Sequence, residues 1–295
     1  MPANRSRTAG WRQCLEQIKR RGGSIELAIA RPGMEGGGVS GDLLVRCRVL
    51  SLRDDAIHVE APVALGRTIE IPEGVELVAM MAVGQNRWMF RTRCLQWHSP
   101  EGRADARAEI DLAIPDRVER CQRRRDYRVE TASLDLPAVQ LWPLLDPTTV
   151  VLAERVNEAE FLRELDGSES PLCRIGDEDI DEEILPEVGP ALPARLVNLG
   201  GGGVGLTVED AYGASLGRRS LFWMRFGLPP MLNTPVCATA RLVHSHMQSD
   251  RQTYAGMTFD FSANPAHKRV VVRQILQAIA CQQKLQMSRQ ACRDI

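Results

Sequence analysis

The amino-acid sequence predicts a mainly β protein, with two antiparallel β domains in tandem and a helix at the C-terminus. Three features support this: two series of short strand-like segments, the lack of helical patterns between most neighbouring segments, and an amphipathic stretch near the chain end. The 295 residues suffice for two domains with cores of their own. Many short strands without helical crossovers are typical of a β-barrel or a sandwich.

The N-terminal domain is expected to begin with a helix over residues 7–21, which Gly22-Gly23 ends. The apolar face of this helix comprises Trp11, Cys14, Leu15 and Ile18. Gly, Pro or Asp-Asp separates the strand-like segments that follow. The predicted strands are Ser24–Ala30, Asp42–Leu50, Ala56–Glu60, Thr68–Ile71, Val75–Val83, Trp88–Leu95 and Ala106–Ile114.

A second series of strands fills the C-terminal half, after a long gap that follows its first member. The gap, residues 145–190, holds a helical candidate around Ala153–Leu165, an acidic stretch and several prolines. This composition predicts an insertion with few core positions, either a solvated loop or a segment for partner docking or autoinhibition. The strands are Arg128–Leu136, Ala194–Asn198, Gly205–Val208, Ser220–Phe226, Val236–His246 and Gln252–Phe261.

The chain ends in a predicted helix, which Asn264 caps and which Pro265 suits at its first turn. Apolar residues recur at helical spacing, a pattern typical of packing on the parent domain. A dimerising coiled coil is the alternative. The stripe comprises Val271, Ile275, Ala278, Ile279, Gln282 and Leu285.

Composition and charge exclude several classes of function. With 37 basic and 38 acidic residues, the chain lacks the charge excess of a general DNA binder. The eight cysteines form no CxxC pair, which excludes zinc ribbons and thioredoxin-like sites and is typical of reduced cytosolic proteins. No signal peptide or transmembrane segment is evident. We therefore expect a cytoplasmic protein without membrane insertion.

The sequence shows no residue pattern that predicts catalysis or a metal centre. We find no Ser-His-Asp or Cys-His arrangement with the context of a nucleophile, so no enzyme activity is expected. His244 and His246 lie on one side of a predicted strand, but no third metal ligand is evident beside them.

A basic connector, RVERCQRRRDYR, spans residues 117–128 between the two β series. Arginine pairs bidentately with guanine edges and with phosphates, and it stacks on aromatic rings. Arg123, Arg124 and Arg128 are therefore candidate nucleotide contacts. All but three of the 37 basic residues are arginines, so this spacing also arises by chance and a solvated linker is the alternative.

A glycine-rich segment, NLGGGGVGL from Asn198 to Leu206, lies between two strand-like runs and predicts a tight turn. Glycines allow positive φ and close approach of the backbone to a ligand. Asn198 supplies a donor and an acceptor. The segment lacks the following helix and the lysine of phosphate-binding loops, which excludes the P-loop and Rossmann motifs. A plain β-turn without a ligand remains the alternative.

In this order the two motifs resemble the signature of the PilZ family, RxxxR followed by (D/N)xSxxG. Arg124 and Arg128 match the first motif, and Arg123 extends it to RRxxxR. Asn198 and Gly203 match the second motif. Gly200 occupies the serine position, which is a departure from the family pattern.

The resemblance extends upstream, where PEGVEL, WMFRTR and EIDLAIPDRVERCQRRRDYRV are similar to the N-terminal barrel of flagellar-brake PilZ proteins. It implies two small antiparallel β-barrels in tandem, a split-barrel-like N-terminal domain and a C-terminal PilZ barrel, with a C-terminal α-helix. The implied segments are a helical segment at 1–21, the N-terminal barrel at 22–116, the arginine-rich linker at 117–128, and the PilZ domain at 129–290 with its insertion at about 145–190.

The resemblance also implies a receptor for cyclic di-GMP that needs no cofactor. Ordering of the 117–128 linker by the ligand would change the relative orientation of the domains and regulate a protein partner, for which the family suggests the flagellar motor. A degenerate PilZ scaffold that binds protein and no nucleotide is the main alternative, and a flavin enzyme on the N-terminal barrel is a third. The implied ligand contacts are Arg123, Arg124, Arg128, Asn198 and Gly203, while Gly200 cannot supply the hydroxyl of the family serine.

Overall fold

A computed structural model describes residues 10–30, 42–83, 86–100, 107–120, 127–129, 132–134, 136–167, 185–200, 202–209, 212–213, 216–217, 219–248 and 252–292. The contacts divide the chain into two compact units. The first includes Asp42–Asp135 and Ala280–Ile295, and the second includes Leu136–Ile279. The domain limits expected from the sequence stay predictions.

The first unit contains a closed antiparallel barrel of six strands. Around the barrel the order is β1-β6-β7-β8-β3-β2, and β2 pairs again with β1. Helix α1 buries Leu15 and Ile18, which confirms its predicted apolar face at those positions. The elements are α1 (Trp11–Arg20), β1 (Ser24–Ile29), β2 (Val45–Leu52), β3 (Ala56–Glu60), β4 (Val63–Ala64), β5 (Arg67–Thr68), β6 (Glu76–Val83), β7 (Asn86–His98), β8 (Glu109–Ala113) and β9 (Val118–Arg120).

A short hairpin follows in place of the predicted strand Arg128–Leu136. Its strands are β10 (Tyr127–Val129) and β11 (Ala132–Leu134), which pair antiparallel with Arg128 opposite Ser133. The prediction of one continuous strand is therefore wrong, because Val129 pairs antiparallel with Ala132 and the two residues lie on different strands.

The second unit contains another closed antiparallel barrel of six strands, in the order β12-β13-β14-β17-β16-β15. The mainly β fold class with barrels and a C-terminal helix is confirmed. The elements are β12 (Ala138–Pro143), a 3-10 turn (Pro147–Thr149), α2 (Val150–Leu165), β13 (Leu192–Leu199), β14 (Gly203–Glu209), β15 (Leu221–Leu228), β16 (Leu232–Met247), β17 (Gln252–Phe259) and α3 (His267–Ala291). The part of α3 from Ala280 onward belongs to the first unit.

Helix α2 corrects the prediction of an insertion with few core positions. Phe161 is 1% exposed, and Val150 and Ala153 pack with Trp142 and Trp223 in one buried cluster. Apolar burial of this kind supplies most of the driving force for docking a helix on a sheet. The helix is therefore part of the core of the second unit. The acidic stretch after it, residues 177–183, lies outside the described residues.

Helix α3 buries most of its predicted stripe, including Val271, Ile275 and Ala278. The prediction is wrong at the end of the stripe, where Leu285 was expected to be buried. Leu285 is 50% exposed, whereas Gln286 is 1% exposed. Gln286 can be buried because its side chain forms hydrogen bonds with backbone groups of the first unit. Its Nε2 donates to the carbonyls of Ala30 (2.9 Å) and Glu76 (2.7 Å), and the amide of Glu76 donates to Gln286 Oε1 (3.0 Å).

Within the described part of the chain, no helix has the length and apolar character needed to cross a membrane.

Candidate functional site

The predicted glycine-rich turn joins strands β13 and β14 of the second barrel. The amide of Gly200 donates to the carbonyl of Gly203 at 2.9 Å, and Asn198 stands opposite Gly205 in the ladder. The carbonyl of Gly202 accepts from the amide of Phe259 (3.0 Å) and from the hydroxyl of Thr258 (3.0 Å). These bonds hold the turn against β17.

Two glycines of this turn have different steric surroundings. A Cβ on Gly203 would lie 2.0 Å from the carbonyl oxygen of Met257, so the backbone of β17 excludes any side chain there. A Cβ on Gly200 would meet only the carbonyl oxygen of Gly203, at 3.8 Å. Gly200 also lacks a left-handed φ. A serine therefore fits at position 200 and not at position 203.

Four residues on one face of the barrel form a straight row across four strands. Asn198 pairs with Gly205, Gly205 pairs with Gly256, and Gly256 pairs with His244. We call these four residues the glycine row. Because its two central members lack side chains, neighbouring side chains can lie directly on the backbone of the row, and both glycines are buried.

Two aromatic rings lie over these glycines. A Cβ on Gly205 would stand 2.3 Å from the hydroxyl oxygen of Tyr254, and a Cβ on Gly256 would stand 2.2 Å from Cε1 of His244. The ring centroids of Tyr254 and His246 are 5.1 Å apart, and those of Tyr254 and His244 are 5.8 Å apart. Such faces can stack on a planar base. The glycine row and these rings thus form a platform suited to a flat ligand.

One positive charge beside this platform, that of Arg241, is neutralised by a neighbouring carboxylate. Thr258 pairs with both Gly203 and Arg241, and the guanidinium of Arg241 forms an ion pair with Asp260. Hydrogen bonds from the side chain and backbone of Ser262 outweigh the effect of burial and lower the pKa of the Asp260 carboxyl, and Arg241 lowers it further. The carboxylate is therefore ionised at neutral pH and neutralises Arg241.

The sequence-predicted ligand contacts are only partly described by the structure. Asn198, Gly200 and Gly203 come together at the β13–β14 turn, with Asn198 largely buried. Arg123 and Arg124 lie outside the described residues. For Arg128 the structure gives the backbone, in β10, and its side chain lies outside the description.

Sequence reasoning missed Tyr254 and Arg195, which occupy the row next to the glycine row. Tyr254 pairs with Thr207, and Thr207 pairs with Arg195, which is exposed. A register shift between Leu196 and Asn198 breaks the alternation of faces along β13. Counting every second residue from Asn198 therefore does not find Arg195, and only the ladder partners reveal it.

Comparisons with known proteins show where the chain has relatives. The curated proteins contain no match. Among solved structures, similar chains include a Bacillus subtilis inhibitor of motility, MotI/DgrA (14% identity, covering 86% of this chain and 95% of that chain, TM-score 0.27). A second is Escherichia coli YcgR in complex with c-di-GMP (13% identity, covering 96% of this chain and 91% of that chain, TM-score 0.27). A third is K. pneumonia MrkH in complex with c-di-GMP (12% identity, covering 92% of this chain and 93% of that chain, TM-score 0.28).

Structural likenesses at this level of identity and TM-score carry no assignment of function. The sequence match is more specific, because residues 22–101 fit the profile of the family PilZNR, described as flagellar protein YcgR. This segment covers strands β1 to β7, most of the first barrel. The predicted resemblance to flagellar-brake proteins is therefore confirmed for this segment, residues 22–101, which matches the PilZNR family model.

Proposed function

We propose that the protein is a cyclic di-GMP receptor. In this receptor the arginine-rich linker 117–128 holds the bound ligand against the β13–β14 turn and the glycine row. The observation that carries the proposal is the pairing of Asn198 with Gly205 and of Gly205 with Gly256. It places the amide group of Asn198 beside the two glycines on which the rings of Tyr254 and His244 lie. The PilZNR domain upstream supports the same function.

The chemistry of the ligand fits this surface. Guanine has a flat face, a Watson–Crick edge that an Asn amide can pair with, and an O6/N7 edge that arginine reads bidentately. One such arginine contact contributes about 1–3 kcal/mol. Because Arg241 is paired with Asp260, most of the charge that binds the phosphates has to come from Arg123, Arg124 and Arg128. The exposed Arg195 is a further candidate.

We further propose that ligand binding regulates a protein partner. The linker connects the two β series, so holding it on the second barrel changes how the domains are oriented. The PilZNR match favours a component of the flagellar motor as that partner. The receptor itself needs no catalytic group or cofactor for this action.

Hydrogen–deuterium exchange with and without ligand tests where the nucleotide binds. Cyclic di-GMP should slow exchange at 117–128 and at Asn198–Gly205, and leave α1 unchanged. Cyclic di-AMP is the matched control, because adenine lacks the O6 acceptor and should give no protection at the same concentration. Equal protection by both nucleotides, or protection confined to the first barrel, would contradict the proposed site.

The alternative is a scaffold that binds a protein without nucleotide, and the lack of a hydroxyl at Gly200 is the observation that favours it. In that case cyclic di-GMP would change exchange nowhere in the chain, while the partner would still bind.

A further inference from the structure

Four side chains capable of binding a metal meet on the first barrel. His58 lies on β3, His98 at the end of β7, and Glu109 and Asp111 on β8, which runs between those two strands. Asp111 stands opposite His58, and Glu109 stands opposite His98. We call these residues the histidine–carboxylate cluster.

The contacts within the histidine–carboxylate cluster are short. His58 Nδ1 lies 2.6 Å from Asp111 Oδ1, and His58 Nε2 lies 2.7 Å from Glu109 Oε2. His98 Nε2 lies 2.9 Å from Asp111 Oδ2. One ligand atom each from His58, His98 and Asp111 lies within 4.8 Å of the others. Donor atoms in a tetrahedral zinc site are about 3.3 Å apart, so small side-chain movements suffice to surround an ion.

Hydrogen bonding alone does not satisfy this arrangement in its neutral form. A neutral imidazole donates from one nitrogen only, yet both nitrogens of His58 face carboxylate oxygens. A cation bound between His58 Nδ1 and Asp111 leaves His58 Nε2 to donate its one proton to Glu109, so both contacts of the ring are satisfied. The Asp111 side chain is 8% exposed, the His98 side chain 34% and the Glu109 side chain 41%, so the cluster has a buried base and an open rim through which an ion can enter.

We propose that the histidine–carboxylate cluster is a binding site for a divalent transition metal, with Zn²⁺ as the best fit. One imidazole nitrogen each from His58 and His98 and a carboxylate oxygen of Asp111 supply three donors of the types that zinc takes, with water as the fourth ligand. Glu109, at the other nitrogen of His58, would orient that ring, as carboxylates commonly do for metal-bound histidines. Ca²⁺ and Mg²⁺ prefer oxygen-only sets and are expected to bind far more weakly. Arg53, whose Nη1 is 3.5 Å from Asp111 Oδ2, is exposed and has to swing away on binding.

Binding of the ion would tie β3, β8 and β7 together through side chains. Nothing in this proposal depends on the nucleotide site in the second unit. His244 and His246 form the histidine pair singled out in the sequence, and among the described residues no third metal-binding side chain accompanies them. That pair therefore provides a matched control.

The test is metal titration of the full chain after dialysis against a chelator. Zn²⁺ is followed by calorimetry, and Co²⁺ by its visible d–d absorption. Wild type should bind one Zn²⁺ per chain, and the Co²⁺ spectrum should show nitrogen and oxygen ligation without a thiolate charge-transfer band. His98→Gln, at the rim, should weaken Zn²⁺ binding by at least about tenfold. The double variant His244→Gln/His246→Gln should bind like wild type.

Several results would overturn the proposal. These are no stoichiometric binding by wild type, a thiolate band in the Co²⁺ complex, unchanged affinity in His98→Gln, or loss of binding in the His244/His246 control. His58→Gln is the second variant for the inner ligand. If circular dichroism shows that His58→Gln does not fold, His98→Gln decides the question alone, because its side chain is partly exposed and its removal leaves the barrel core intact.

Discussion

The Cα of Gly203 lies so close to strand β17 that a Cβ on this residue would stand 2.0 Å from the carbonyl oxygen of Met257. Gly203→Ser should therefore push β14 away from β17 and lower the free energy of unfolding by at least about 2 kcal/mol. Urea denaturation measures this loss. Gly200→Ser is the control in the same turn, and it should shift the midpoint little. Equal midpoints for both variants would show that the strands are not so close.

Gly200→Ser should also strengthen ligand binding. Its Cβ has room, and the hydroxyl restores a group that the family pattern places at this turn. One added hydrogen bond contributes about 0.5–1.5 kcal/mol, which is up to about tenfold in affinity. Calorimetric titration of both proteins with cyclic di-GMP measures the difference. Weaker binding at an unchanged melting temperature would mean that position 200 does not correspond to the family serine.

Helix α2 should be essential for the stability of the second unit. Phe161→Ala removes a ring that is almost fully buried, and such changes cost about 3–5 kcal/mol in the free energy of unfolding. Leu152→Ala is the matched control on the same helix, because Leu152 is 66% exposed, and it should change stability by less than about 0.5 kcal/mol. Similar losses in both variants would contradict the packing of α2.

Glu154 should make the stability of the second unit depend on pH. Burial outweighs a hydrogen bond from Asn264 and raises the pKa of this carboxyl from 4.5 to about 7, and among the described residues its Oε2 has no hydrogen-bond partner. The folded state thus keeps the proton to a higher pH than the unfolded state. The resulting stability is present below pH 4.5 and is lost as the pH rises through about 7.

Glu154→Gln should remove this dependence, because the amide does not ionise. Between pH 5 and pH 8, wild type should lose about 1–2 kcal/mol more of its free energy of unfolding than the variant does. Denaturation curves at the two pH values measure the difference. Parallel losses in both proteins would show that Glu154 ionises normally in the folded state.

The strands of both barrels could largely be predicted from the sequence, since one face of each is apolar. Strand β12 was missed because it is short and bounded by Pro137 and Pro143, although it closes the second barrel by pairing with β13 and β15. Helix α2 was taken for part of an insertion, because polar Glu154 and Asn157 occupy buried positions where a core helix normally has apolar residues.

The candidate site was predictable only where its residues are adjacent in sequence. Asn198, Gly200 and Gly203 belong to one sequence motif, and the predicted turn is present between β13 and β14. Tyr254 and Gly256 reach the same surface through strand pairing. The histidine–carboxylate cluster was equally hidden, because the registers of three strands bring its residues together.

The central claim, that the chain binds cyclic di-GMP through its arginine-rich linker, is tested most directly by calorimetric titration of the purified protein. Wild type should bind the nucleotide, Arg124→Ala and Arg128→Ala should abolish measurable binding, and both variants should melt at nearly the wild-type temperature without ligand. Arg219→Ala, an exposed arginine outside the linker, should bind normally. No heat of binding in wild type, or wild-type affinity in both linker variants, would contradict the account.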